Sequence, residues 1–239
     1  MAGAVQAADF IRAHTRLITP PLVPEIQLHL AAEAIGLWEE TERQAGRTGL
    51  PPPFWAFPWA GGQALARFLL DHPERAAGRV VLDMASGSGL VAIAAAMAGA
   101  IEVMASDTDP VAVAAIALNA EVNDVTLTIR SGDLLGDGPL GDGPLGDMPL
   151  GDMPPQPPGS RAGPDLVVVG DAFYQRELAR QVLGFLDGAV AGGARVLVGD
   201  PGRAYLPRAR LRAIAVYDVP VMADLEDAEI KRTTVWEPA

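Results

Sequence analysis

The sequence predicts an α/β protein, with a seven-stranded, mostly parallel sheet, helices on both faces and a helical extension ahead of it. Three observations carry that expectation. From Arg79 onward, short runs rich in Val, Ile and Leu alternate with amphipathic or Ala-rich stretches, as strands alternate with helices. One run, Val80-Val81-Leu82-Asp83, enters the small-residue turn Met84-Ala85-Ser86-Gly87-Ser88-Gly89 and then the Ala-rich segment 90–98, which reads as strand, glycine loop and helix start. The two terminal strand candidates have only residues 220–230 between them, which suits an antiparallel pair better than a parallel crossover.

Taken in order, residues 5–16 and 24–42 read as helices. In the second, Ile26, Leu30, Ala34 and Leu37/Trp38 recur at helical spacing behind Pro24, and Thr19-Pro20-Pro21 breaks the two apart. Pro51-Pro52-Pro53-Phe54-Trp55-Ala56-Phe57-Pro58-Trp59 carries too much apolar surface for a solvated linker and is expected to be an ordered loop. Gly61-Gly62 leads into a helix over 63–71. Strands are expected at 79–83, 101–106, 125–130, 165–170, 194–199, 212–218 and 231–236, with helices near 89–98, 110–122, 175–190 and 203–209. We divide the chain at residue 60, into an N-terminal extension (1–60) and a cofactor-binding domain (61–239) interrupted at 136–160. That interruption contains GDGPL-GDGPL-GDMPL-GDMPP, four near-copies of a pentapeptide whose Pro and Gly oppose helix and ladder alike. It is expected to be a mobile surface insertion. Its spaced Asp residues admit a calcium-binding reading but lack a closing Glu.

The 239 residues are 49% apolar, enough for a substantial core, and carry a formal net charge of −12. Phosphates would be repelled, so a nucleic-acid partner is not expected; small molecules or a lysine-bearing protein are. There is no Cys, which excludes disulfides and thiolate chemistry, and the three His (His14, His29, His72) show no metal-ligand spacing. No uncharged apolar run approaches membrane-spanning length, and residues 1–10 lack a basic region followed by an apolar run. A cytoplasmic protein without membrane or metal partners is the expectation.

The glycine loop is the strongest site signal. Glycines let a ligand approach the backbone, and the following helix start leaves N–H groups unpaired. Asp107, ending the next strand, can accept both hydroxyls of a ribose. Gly87-x-Gly89-x-x-Ala92 also satisfies a dinucleotide fingerprint. Asp83 favours S-adenosylmethionine instead, because a carboxylate there would hold a methionine ammonium and repel a pyrophosphate. Asp83-x-Ala85-x-Gly87-x-Gly89 resembles the acidic-x-Gly-x-Gly-x-Gly loop of class I methyltransferases, with Ala for the first Gly. The expected cofactor contacts are Asp83, Ala85, Ser86, Gly87 and Gly89 for the methionine end, Asp107 for ribose, and Asp133 with the backbone N–H of Leu134 for adenine. Trp59 and Gln63 would fold over the cofactor, Trp59 with a cation–π contact to the sulfonium; a core-plug role suits Trp59 equally.

After the fourth of these strands come Asp171 and Tyr174, at the carboxyl edge next to the glycine loop. A lysine ε-ammonium must lose a proton before it attacks a methyl group, and a carboxylate can capture and orient it. Asp171 is therefore the candidate amine-orienting residue and Tyr174 a second positioning contact. Asp171 could also cap the helix beginning near Gln175, and both roles could hold at once. Asn119 and Asn123 could be helix caps or substrate contacts.

Phe54–Leu65 (Phe-Trp-Ala-Phe-Pro-Trp-Ala-Gly-Gly-Gln-Ala-Leu), the Asp83–Gly89 loop, Asp107-Thr108-Asp109-Pro110, residues 118–123, Gly170-Asp171-Ala172-Phe173-Tyr174 and Gly199-Asp200-Pro201-Gly202-Arg203 resemble the electron transfer flavoprotein β-subunit lysine methyltransferases. The mark of that group, Asp-x-x-Tyr after the fourth strand, falls on Asp171 and Tyr174. The resemblance covers most of the chain outside the insertion. It implies S-adenosylmethionine as donor and lysines of a folded partner, the electron transfer flavoprotein β subunit, as acceptor. Ala85 and the Gly/Asp/Pro repeat depart from the pattern. A small-molecule N-methyltransferase, or a module that binds the cofactor without catalysis, remain as alternatives from the residues alone.

Overall fold

The computed structural model describes residues 2–135, 163–222, 225 and 228–239. In chain order the elements are α1 (Ala2–His14), β1 (Arg16–Ile18), β2 (Leu28–Leu30), α2 (Ala34–Ala45), α3 (Ala60–Asp71), β3 (Val80–Met84), α4 (Leu90–Met97), β4 (Glu102–Asp107), α5 (Pro110–Val122), β5 (Thr128–Ser131), β6 (Leu166–Gly170), α6 (Arg176–Ala191), β7 (Arg195–Asp200), β8 (Leu211–Pro220) and β9 (Ile230–Pro238).

Seven strands form one sheet in the order β5-β4-β3-β6-β7-β9-β8, and β1 and β2 pair separately. β5, β4, β3, β6 and β7 run parallel, while β9 is antiparallel to both β7 and β8. The chain walks outward from β3 through β4 to β5, then returns to place β6 on the other side of β3. The ends of β3 and β6 thus flank a switch point, where such sheets open a crevice for ligands.

All five residues of β3 are buried, because helices cover both faces of the sheet. Alternation sorts them. Val81, Leu166, Val168 and Leu197 pack with α3 and α4 residues such as Leu65, Leu69 and Ala95. Leu82, Met84, Val167, Val169, Val196 and Val198 pack with Val182, Phe185 and Leu186 of α6. Each such side chain contributes roughly 1.5–3 kcal/mol on burial. Pro110 and Asp109 start α5, the Asp109 carboxylate accepting the Val111 N–H at 2.8 Å.

Residues 1–60 share their core with the sheet's flanking helices. Ile11, Leu37 and Trp55 pack with Ala112, Ala115 and Leu118 of α5. Val23, Ile26, Leu28 and Leu30 pack with Ala66, Leu90 and Ile93.

All seven expected strands are present within a few residues of their expected limits. Two helix expectations are corrected. Residues 24–42 are not one helix: β2 runs extended against β1, and α2 begins only at Ala34. The side chains of α5 explain the change. Asn119 Oδ1 accepts the His29 N–H at 2.7 Å, while Asn123 accepts the Gln27 N–H at 2.9 Å and donates to the Gln27 carbonyl at 2.6 Å. Main-chain groups that a helix would pair internally are held by a neighbour, and Ile26 and Leu30 reach the core from an extended chain. The helix expected at 203–209 shrinks to a single 3-10 turn, Arg208–Arg210. The Gly/Asp/Pro repeat, with its calcium alternative, lies outside the described residues.

Candidate active site

The loop after β3 is built by three consecutive constraints. Ala85, Gly87 and Gly89 all have positive φ, at 53°, 56° and 83°. Ser86 donates its N–H to the Ser106 carbonyl at 3.0 Å, and Gly87 donates its own to Asp107 Oδ2 at 2.8 Å. Asp83, 2% exposed, lies on the α4 side of β3, and its Oδ2 accepts the Ser86 hydroxyl at 2.5 Å and the Ala92 N–H at 3.0 Å. Burial pushes the Asp83 pKa up to about 7, opposed by these two hydrogen bonds and reinforced by the nearby Asp107 charge. Asp107 Oδ1 also accepts the Asp109 N–H at 3.0 Å. Asn119, fully buried, donates to the Ser88 carbonyl at 2.8 Å and so ties the loop to α5 and β2.

Asp83, Asp107 and Asp109 converge on this loop, and residues 83–110 contain no Lys, Arg or His. That donor set suits a ligand bearing positive charge and opposes a pyrophosphate. S-adenosylmethionine, with its ammonium and sulfonium, fits it, and the glycine loop has space for close approach: beside Gly87 the nearest obstacle to a Cβ is Trp55 Cα at 3.8 Å. Asp133 is exposed after β5, its Oδ1 accepting the Leu135 N–H at 2.7 Å in a local turn, and Leu134 is half-buried against the α6-side core.

Across the switch point, Asp171 follows β6 with φ 56° and is 9% exposed. It does not cap α6, whose first turn follows Gln175 without a side-chain cap. Asp171 Oδ2 instead accepts the Gly62 N–H at 3.1 Å, in the first turn of α3. Its Oδ1 accepts Nε of Arg203 at 3.1 Å and Nη2 at 2.6 Å. Three glycines make this junction possible. A Cβ on Gly61 would collide with the Gly199 carbonyl and with Asp171 Oδ2, one on Gly199 with the Gly61 carbonyl, and one on Gly170 would press within 3.0 Å of the Gly62 nitrogen. α3 therefore abuts the ends of β6 and β7 backbone to backbone.

Arg203 is delivered by a turn after β7. Asp200, 1% exposed, accepts the Gly202 and Arg203 N–H groups on Oδ1, both at 2.6 Å. Gly202 has φ 95°. The Arg203 guanidinium lies 5.6 Å over the Trp59 ring, and Trp59 donates its indole N–H to the Phe54 carbonyl at 2.8 Å. The Phe54 ring faces Tyr174 at 5.6 Å. Tyr174 is 39% exposed, and its phenol is raised by burial and by Asp107, with Arg203 opposing. Asp171, Tyr174, Trp59 and Arg203 thus form one wall, facing the Asp107 side of the glycine loop.

Gln63, expected to fold over the cofactor, spends its amide on the protein's own backbone. It is fully buried, and its amide accepts the Leu22 N–H at 3.2 Å and donates to the Pro58 and Pro220 carbonyls at 2.7 and 3.3 Å. It is a strut between α3, the Pro/aromatic segment and β8. Arg203, Gly61 and Gly199 are not among the expected site residues; the motifs Trp-x-Gly-Gly-Gln and Gly-Asp-Pro-Gly-Arg contain them.

The strand order, the glycine loop and the acidic ends of β3 and β4 define a class I S-adenosylmethionine-dependent methyltransferase. A candidate SAM-dependent methyltransferase structure from Streptococcus mutans shares the fold, with TM-score 0.50, 11% identity and coverage of 81% of this chain and 51% of its own. Residues 64–139 match the family model for ribosomal protein L11 methyltransferase (PrmA). The electron transfer flavoprotein beta subunit lysine methyltransferase of Xenopus laevis is 37% identical over 238 residues, 95% of this chain and 85% of that protein. The Homo sapiens protein of the same name is 35% identical over 223 residues, 90% of this chain and 75% of its own length. The chain belongs to this lysine methyltransferase family. Among the described residues no His, Cys, Asp or Glu cluster could hold a metal, and no helix is long and apolar enough to cross a membrane.

Proposed function

We propose that this enzyme transfers methyl groups from S-adenosylmethionine to lysine side chains of the electron transfer flavoprotein β subunit. The observation that carries the substrate is the 37% identity, extending over 95% of the chain, to a relative named for that acceptor. Asp83 and the Ala85–Gly89 loop hold the methionine end, Asp107 the ribose and Asp133 the adenine; Trp59 lies beside the transfer position. The chemistry supplied by bound S-adenosylmethionine is an electrophilic methyl carbon: the amine lone pair forms the C–N bond as the C–S bond breaks, its electron pair staying on sulfur. Asp171 orients the amine and Tyr174 closes one side of its approach, so that alignment supplies much of the rate. A lysine-bearing acceptor suits the acidic charge of the chain, and the same charge disfavours a nucleic acid.

The test uses labelled S-adenosylmethionine, purified β subunit and the wild-type and Asp171→Asn proteins. Label on β-subunit lysines with the wild type, reduced about 100-fold or more in Asp171→Asn, is expected. Absence of label on the β subunit overturns the substrate, and full activity in Asp171→Asn overturns the role of Asp171.

A further inference from the structure

The Gly-Asp-Pro-Gly-Arg segment holds Arg203 in place with care: Gly199 lets α3 approach, Asp200 ties down two N–H groups of the turn, and Gly202 supplies φ 95° where a Cβ would collide with Arg208. What the turn presents is a guanidinium that gives two N–H groups to one oxygen of Asp171, while the other oxygen takes the Gly62 N–H. Both members are largely shielded, with side-chain exposures of 18% and 10%. The carboxylate assigned to the acceptor amine is therefore already compensated in charge. An arriving ammonium would meet a neutral pair with a fixed cation at its side.

We infer that Arg203 is a positioning residue that makes the acceptor site select the neutral amine: it balances the charge of Asp171, so that Asp171 orients a lysine by hydrogen bonding without trapping it as the unreactive ammonium. This rests on the proposed role of Asp171. A lone carboxylate would hold the ammonium and raise its pKa, working against a reaction that needs the nitrogen lone pair. A guanidinium keeps its proton throughout the working pH range, so its influence does not titrate away. The stacking of Arg203 on Trp59 fixes it on that side of the site.

Among the described residues, the other charged groups around this position are few. Tyr174 comes from beyond β6, Asp107 from β4, and Asp200 from β7; Arg208 acts on Asp200. Asp83 stands on β3, paired with β6 beside Val168, Asp109 starts α5, and residues 54–66 bring no charge at all. Removing Arg203 leaves this remainder in place and predominantly acidic.

The test is the pH dependence of kcat for β-subunit methylation by the wild type, Arg203→Lys and Arg203→Gln, with thermal melting as a check on folding. For wild type and Arg203→Lys the acidic limb is expected at the same pH within a few tenths. In Arg203→Gln it moves upward by about one unit or more, so that kcat near neutrality falls at least about tenfold and recovers as pH is raised, while KM does not rise. Arg203→Met, which keeps an apolar stem against Trp59, gives the same shift should Arg203→Gln fail to fold. An unmoved limb in the neutral variant, or a loss that higher pH does not restore, overturns the inference while leaving the proposed function standing. Absence of transfer with the wild type overturns both.

Discussion

The N–H of Gly62 donates to Oδ2 of Asp171 at 3.1 Å, joining residues 109 positions apart. Asp171 thereby sits at the positive end of α3 as well as beside the candidate transfer position, and a carboxylate is favoured there by the helix dipole. The residue assigned to the amine is also a structural joint between helix and sheet. Asn, which keeps an acceptor oxygen, is for this reason the informative replacement, and Ala is not.

The joint depends on Gly61. A methyl group there has nowhere to go, since its neighbours are the Gly199 backbone and the Asp171 carboxylate. Gly61→Ala is expected to destabilise the protein by about 3 kcal/mol, the upper range for overpacking, and to reduce methyl transfer further than the unfolded fraction explains. Urea unfolding alongside activity measured well below the transition checks this.

Asp83 should give stability a measurable pH dependence. Its pKa is raised from 3.8 to about 7, so between about pH 4 and 7 the folded protein keeps a proton that the unfolded chain has lost. Stability therefore falls as pH rises through that window, and Asp83→Asn should flatten the fall. A donor whose ammonium sits against the ionised carboxylate reverses the preference. Calorimetry near pH 6, in two buffers of different ionisation enthalpy, should show release of about one proton on donor binding in the wild type and none in Asp83→Asn.

Gln63 separates scaffold from site. Losing its amide leaves the Leu22 N–H and the Pro58 and Pro220 carbonyls without their partner. Gln63→Ala is expected to lose about 2–4 kcal/mol while donor affinity, read by calorimetry on the folded protein, stays within about twofold. A selective loss of affinity at unchanged stability would mark Gln63 as a cofactor contact.

Ala85 occupies a left-handed position, φ 53°, that glycine adopts without strain. Relief of that strain is partly offset by the greater freedom of glycine in the unfolded chain. Ala85→Gly is expected to raise Tm by about 1–2 °C without weakening donor binding, as differential scanning fluorimetry with and without donor would show.

The strands were legible because β3, β6 and β7 are apolar on both faces and bounded by loop and helix segments. The glycine loop and Asp107 were legible because their chemistry is local: a turn, a strand end and a short spacing. What escaped was non-local. Nothing adjacent to Gln27 or His29 reveals that Asn119 and Asn123, some 90 positions on, hold their backbone out of a helix. Gln63 looked available because its partners, Leu22 and Pro220, lie far away in the sequence. For the same reason Asp171 could be seen as a cap, but the helix it serves is α3, upstream, and not the α6 that follows it.

The sheet's strand order also constrains how a nascent chain can complete it. β9 lies inside β8, yet it is synthesised after β8. Until residues 230–238 emerge, the ten-residue segment Leu211–Pro220 has no partner strand, and the open flank of β7 is an invitation to mispairing with other molecules. A mutation slowing translation or docking of this final ribbon would be felt first as aggregation in the cell, before any loss of catalytic competence in the molecules that do finish folding.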